Sequence, residues 1–183
     1  MASLRKIKKL SLGIRTTLDL TKFSVFDNMM QLTSLDIRPE LLISDLWRTL
    51  KHLRIHLQTI SFNVLSIGNV FLDYLSSYRG VKELLLSNTE RYWAARDHTD
   101  IATHFFDVIV KNHAATLEVL EICRHSDTIW GNVQDRLGRL AKPRALKKLK
   151  IELSIDEIAA IQDSGTDDDR RLCNLLGSES RVW

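Results

Sequence analysis

The chain has 183 residues, 44% of them hydrophobic and 27% charged, with a formal net charge of +3. That composition suits one domain with a real core, and only two prolines and seven glycines exclude collagen-like or linker-rich material. The weak positive charge does not by itself point to nucleic acid or to a membrane, and no apolar run approaches the roughly 20 residues of a membrane span.

Residues 1–18 contain five basic side chains (Arg5, Lys6, Lys8, Lys9, Arg15) and no acid, a composition shared with transit peptides, yet the same stretch holds the first copy of a repeat. The unit is apolar-x-x-Leu-x-apolar. It reads Ile7-Lys-Lys-Leu10-Ser-Leu12, then Leu32-Thr-Ser-Leu35-Asp-Ile37, then Leu50-Lys-His-Leu53-Arg-Ile55. It returns as Val81-Lys-Glu-Leu84-Leu-Leu86, Leu117-Glu-Val-Leu120-Glu-Ile122 and Leu146-Lys-Lys-Leu149-Lys-Ile151, so the central leucines are 25, 18, 31, 36 and 29 residues apart. The last two apolar positions of each unit lie two apart, which is the spacing of a strand and not of one helix face. The alternation continues in Leu10-Leu12-Ile14, Leu53-Ile55-Leu57 and Leu149-Ile151-Leu153.

Between these strands the apolar period changes to that of a helix. A short helix is expected over 41–49. Ile67, Phe71, Tyr74, Leu75 and Tyr78 form a first stripe, with Gly80 placed to end it. Ile101, Phe105, Val108 and Ile109 form a second, with Thr99 as N-cap and Asp100 favourable to the dipole. Val133, Leu137 and Leu140 form a third, stopped by Pro143, and Ile155, Ile158 and Ala159 predict a closing helix. Residues 163–183 lose the repeat and read as a polar C-terminal tail, leaving residues 1–162 as the repeat array.

Alternating strands and helices predict an α/β protein with a parallel sheet, helices lying on one side of it. A single unit cannot bury its apolar edge, whereas stacked units can. The LxxLxL units joined by amphipathic helices of variable length resemble leucine-rich-repeat proteins. Together with Leu72-Asp-Tyr-Leu-Ser-Ser-Tyr-Arg-Gly-Val-Lys-Glu-Leu-Leu-Leu86 they look like the repeat region of fungal F-box/leucine-rich-repeat proteins. The resemblance implies a short solenoid with the sheet on a concave face and the helices on a convex face. It also implies a repeat region that selects a target for ubiquitination through an F-box helix bundle. No segment here resembles an F-box. The asparagine that this family places three residues after the last strand leucine is replaced by Arg15, Glu40, Gln58, Thr89, His125 and Ser154.

Strand alternation then defines the residues facing away from the helices. One row is Lys9, Ser34, His52, Glu83, Val119 and Lys148, and the next is Ser11, Asp36, Arg54, Leu85, Glu121 and Lys150; a third contains Gly13, Arg38, His56, Ser87, Cys123 and Glu152. The candidate partner-binding residues are Asp36, Arg38, His52, Arg54, His56, Glu83, Leu85, Glu121, Lys148 and Lys150. Asp36 beside Arg54, and Glu121 beside Lys150, are expected within pairing distance.

Catalytic motifs are missing: there is no P-loop, GxGxxG, HExxH or GxSxG. His104 and Asp107, three apart on a predicted helix, are the nearest approach to a metal pair, but a solvated helix face carries the same residues, and no metal or cofactor is expected. Basic clusters at Arg5–Lys9 and Lys142–Lys150 fall at opposite ends of the array without interleaved aromatic residues, so nucleic acid is not the expected partner. Cys123 and Cys173, far apart and outside any CxxC, read as reduced thiols, which places the chain in the cytoplasm or nucleus. The expected function is non-catalytic protein or peptide binding. The alternative is a self-associating scaffold, joined through uncapped ends, or a weak nucleic-acid binder.

Overall fold

A computed structural model describes residues 6–13, 29–37, 44–63, 68–87, 99–122, 140 and 143–151. Six short strands run through them: β1 (Lys9–Leu12), β2 (Ser34–Ile37), β3 (Thr59–Asn63), β4 (Glu83–Ser87), β5 (Val119–Ile122) and β6 (Lys148–Ile151). They form one sheet in the order β1-β2-β3-β4-β5-β6, every neighbouring pair parallel. Helix α1 (Ser44–His52) lies between β2 and β3, and α2 (Asn69–Ser76) between β3 and β4. A third helix, α3 (99–113), lies between β4 and β5. The chain is thus an α/β protein, and no helix among the described residues is long and apolar enough to cross a membrane.

The register is continuous. Leu10, Leu35, Ile60, Leu84, Leu120 and Leu149 stand side by side, followed two residues on by Leu12, Ile37, Phe62, Leu86, Ile122 and Ile151. All twelve point to the helix side, and all but the half-buried Leu10 are buried. Removing such a side chain from water stabilises the fold by about 1.5–3 kcal/mol, so this double row is the main reason the strands stack.

The same backbone junction recurs between all six strands. The Lys8 carbonyl accepts hydrogen bonds from the Thr33 and Ser34 N–H groups at 2.8 and 2.9 Å. In the same way the Thr33 carbonyl takes Gln58 and Thr59, that of Gln58 takes Lys82 and Glu83, that of Lys82 takes Glu118 and Val119, and that of Glu118 takes Lys147 and Lys148. One carbonyl thus satisfies two N–H groups at the head of each strand from β2 to β6.

The third repeat sits later than the sequence pattern suggests. Leu50-Lys-His-Leu53-Arg-Ile55 is not a strand: Leu50 and His52 belong to α1, and β3 is built from Ile60 and Phe62. The Ile55 N–H bonds the Leu50 carbonyl at 3.0 Å, the Arg54 N–H bonds the Lys51 carbonyl at 3.1 Å, and Arg54 has φ +54°. This is a Schellman helix end, whose characteristic apolar positions are the third-last helical residue, here Leu50, and the second past the cap, here Ile55, with Leu53 as the cap itself. Its spacing, Leu50-x-x-Leu53-x-Ile55, copies that of a strand unit. The true unit is Leu57-Gln-Thr-Ile60-Ser-Phe62, which makes the first three central separations 25, 25 and 24 residues.

Helices and sheet meet in an aromatic cluster. The Trp47 ring of α1 lies 5.6 Å from Phe62, 4.7 Å from Phe71 and 5.4 Å from Tyr74. Of the predicted stripe, Phe71, Tyr74, Leu75 and Tyr78 are buried and Ile67 lies outside the described residues; Gly80 does not cap α2, whose C-cap is Ser77, but takes φ +118° in the following connection. Helix α3 starts as an α-helix over Thr99–His104, widens to a π-helix over Phe105–Val110 and closes α-helical over Lys111–His113. Phe105, Phe106, Ile109 and Val110 are buried while Val108, expected in the core, is half-exposed. Leu140 is buried. The closing helix and the tail expected from Ile155 onward lie outside the described residues, as does Arg38.

Candidate binding face of the sheet

The strand residues that point away from the helices form two complete rows. One runs Lys9, Ser34, Thr59, Glu83, Val119, Lys148 and the other Ser11, Asp36, Ser61, Leu85, Glu121, Lys150. Each of these side chains is exposed or half-buried. From the ten expected binding residues the structure brings Asp36, Glu83, Leu85, Glu121, Lys148 and Lys150 onto this face.

His52, Arg54 and His56 are elsewhere. His52 ends α1, Arg54 is the left-handed residue after it, and His56 lies in the connection to β3, its ring stacked on Tyr78 at 4.8 Å with only 4° between the planes. Thr59 and Ser61 take the places expected for His52 and Arg54. The middle of the face is therefore small and hydroxylic, not basic. The repetition in Leu57-x-x-Ile60-x-Phe62 was the available signal for these two residues.

Electrostatics follow the corrected register. Asp36 stands beside Ser11 and Ser61, not Arg54, and accepts the Ser11 hydroxyl at 3.0 Å. Glu83 accepts the Thr59 hydroxyl at 3.4 Å. Glu121 pairs with β6 as expected, but Lys148, diagonally across, is closer (2.8 Å) than the directly opposed Lys150 (4.0 Å). Leu85 and Val119, diagonal neighbours on β4 and β5 and both half-buried, give the face an apolar spot between Glu83 and Glu121. Just ahead of the strands, Lys147 donates to Glu118 at 2.6 Å, and that hydrogen bond holds the Glu118 carboxyl below its ordinary range.

Behind the sheet, polar side chains tie the second and third helices to the preceding helix–strand connection. The Tyr74 hydroxyl donates to the Ile55 carbonyl at 2.9 Å and accepts the Leu57 N–H at 3.2 Å, while Tyr78 donates to the Leu57 carbonyl at 3.0 Å. Burial pushes the Tyr74 phenol up to about 12 and raises that of Tyr78 as well. One repeat later His113, 1% exposed, does the same work. Its Nδ1 accepts the Gly80 and Val81 N–H groups at 3.2 and 3.3 Å, and its Nε2 faces the Leu75 carbonyl at 3.1 Å. Because backbone N–H groups can only donate and a carbonyl can only accept, the ring is the neutral tautomer with its proton on Nε2. Burial holds its pKa below the ordinary value, against the opposing effect of the Leu75 carbonyl. Sequence reading missed His113 because a lone histidine near a helix end carries no pattern.

Nothing among the described residues gathers three His, Cys, Asp or Glu side chains into a metal site. His104 lies 3.1 Å from the Ser76 hydroxyl of α2 through its Nε2. Cys123 and Cys173 lie outside the described residues. No family model, curated protein or solved structure matches the chain.

Proposed function

We propose that the chain is a leucine-rich-repeat solenoid of about six units, a non-catalytic module that binds another protein through the outer face of its sheet. The observation that carries this reading is the in-register parallel sheet in strict sequence order, with one junction repeated at each entry from β2 to β6 and two continuous apolar rows on the helix side. Such stacking is how repeat proteins create an extended surface. Leu85 and Val119, set among Glu83, Glu121, Lys148 and Lys150, supply the apolar centre and charged surround that protein interfaces use. Asp36 and the hydroxyls of Thr59 and Ser61 extend that surface.

The test is affinity capture from a native lysate with the wild-type chain and with Leu85→Asp/Lys150→Glu, after matched circular dichroism and melting. A protein held by the wild type and released by the variant is the expected result; equal retention by both removes the outer face from the reading. A substrate-receptor role in ubiquitination rests on the resemblance alone, and ubiquitin-ligase adaptors among the retained proteins are what it requires; a cytoplasmic or nuclear location rests on reading Cys123 and Cys173 as reduced thiols.

A further inference from the structure

In a parallel sheet every strand begins at the same edge, so the six segments leading into β1–β6 lie in one line along what is here called the leading edge. Those segments contain Lys6 and Lys8 ahead of β1, Arg54 ahead of β3, Arg79 and Lys82 ahead of β4, and Arg144 and Lys147 ahead of β6. All seven are exposed, and Glu118 is the one acid in the same described segments. The two basic clusters that are remote in sequence thus become the ends of one row, and Arg54, Arg79 and Lys82 fill the gap. At about 4.8 Å per strand the row extends about 24 Å.

Helix ends do not account for the row. Lys51, His52 and Lys111 occupy the last turns of α1 and α3, where cations complement the helix dipole; the seven lie beyond those turns. Lys147 pairs with Glu118, whereas Lys6, Lys8, Arg54, Arg79 and Arg144 make no ion pair with another described residue.

We propose that this leading edge binds the phosphodiester backbone of a single-stranded nucleic acid without reading its sequence. The site is separate from the outer face. Protein partners need a desolvated apolar centre, and among the described residues the leading edge offers only Met30, in the cation-free segment ahead of β2, as a large exposed hydrophobic side chain. Phosphate contacts need only cations and donors in a line. The cations are unevenly placed, absent ahead of β2 and opposed by Glu118 ahead of β5, which a flexible strand can follow and a rigid duplex cannot.

The experiment is fluorescence anisotropy of a labelled 20-nucleotide mixed-sequence DNA strand titrated with the full chain at 50 and 200 mM salt. With about five phosphates neutralised and a slope of about −0.7 per phosphate, the fourfold rise in salt weakens binding about 100-fold. Lys8→Glu/Arg79→Glu/Arg144→Glu, at exposed positions and checked by circular dichroism, is expected to lose at least about tenfold at 50 mM, since it replaces three such contacts with repulsion. Absence of binding at 50 mM, a flat salt response, or a folded triple variant that binds like the wild type overturns the proposal. So does binding to phosphatidylserine vesicles or to poly-glutamate tighter than to the oligonucleotide, which would assign the edge to a membrane or an acidic protein.

Discussion

Arg54 adopts a left-handed backbone, φ +54°, that costs a residue with a Cβ about 1–2 kcal/mol and that glycine adopts freely. It does so because the Schellman bonds from Arg54 to Lys51 and from Ile55 to Leu50 turn the chain from α1 toward β3. Arg54→Gly is therefore expected to raise stability by about 1 kcal/mol, read as a higher urea midpoint, while Arg54→Ala leaves it unchanged. An unchanged midpoint for the glycine variant would mean that the left-handed turn is not strained. His113 is the opposite case, a polar residue whose partners leave it no freedom. Replacing it with leucine strands the Gly80 and Val81 N–H groups and the Leu75 carbonyl, each at about 1–3 kcal/mol, so His113→Leu is expected to cost several kcal/mol. Its pKa lies below the ordinary 6.5 in the folded chain. The unfolded chain thus takes up the proton first, and stability, full above pH 6.5, is lost as the pH falls from there through the folded value. Urea midpoints between pH 7.5 and 5 should decline in the wild type and stay level in His113→Leu.

At the scale of elements, what could be read from the sequence depended on whether apolar spacing has a single structural meaning. Five of the six strands fall where the unit predicts them, because Leu-x-Leu with polar neighbours leaves only one face to bury. The third fails because a helix end and a strand head share the spacing i, i+3, i+5, and only the hydrogen bonds distinguish Leu50-Leu53-Ile55 from Leu57-Ile60-Phe62. That one displacement moved three of the expected binding residues off the face and hid Thr59 and Ser61. The basic leading edge was unreadable for a related reason: its residues are brought into line by the register, not by proximity in the chain. The corrected register predicts unequal costs. Ile60, fully buried between Leu35 and Leu84, should lose about 3 kcal/mol on Ile60→Ala. Leu53, only partly buried, should lose less than half of that. Denaturant unfolding of the two variants measures the difference, and equal costs would restore Leu53 to the sheet.

For the molecule as a whole, each strand hydrogen-bonds only its sequence neighbours, and the helices tie themselves to the adjacent connection through Tyr74, Tyr78 and His113. Stability in such an array is a sum of local and nearest-neighbour contributions, so it need not be even along the chain. The aromatic cluster of Trp47, Phe62, Phe71 and Tyr74 concentrates buried area around β3 and α2, in the middle of the sheet. At β1, by contrast, Leu10 is only half-buried, and Lys9 and Ser11 are exposed on either side of it. Native-state hydrogen exchange should therefore find the amides of Ile60–Phe62 and Leu84–Leu86 the slowest, opening only with global unfolding, and those of Leu10–Leu12 faster by local opening. Uniform protection across β1 to β4 would instead indicate a single cooperative core, and the solenoid reading would lose its energetic basis even with the strand order intact.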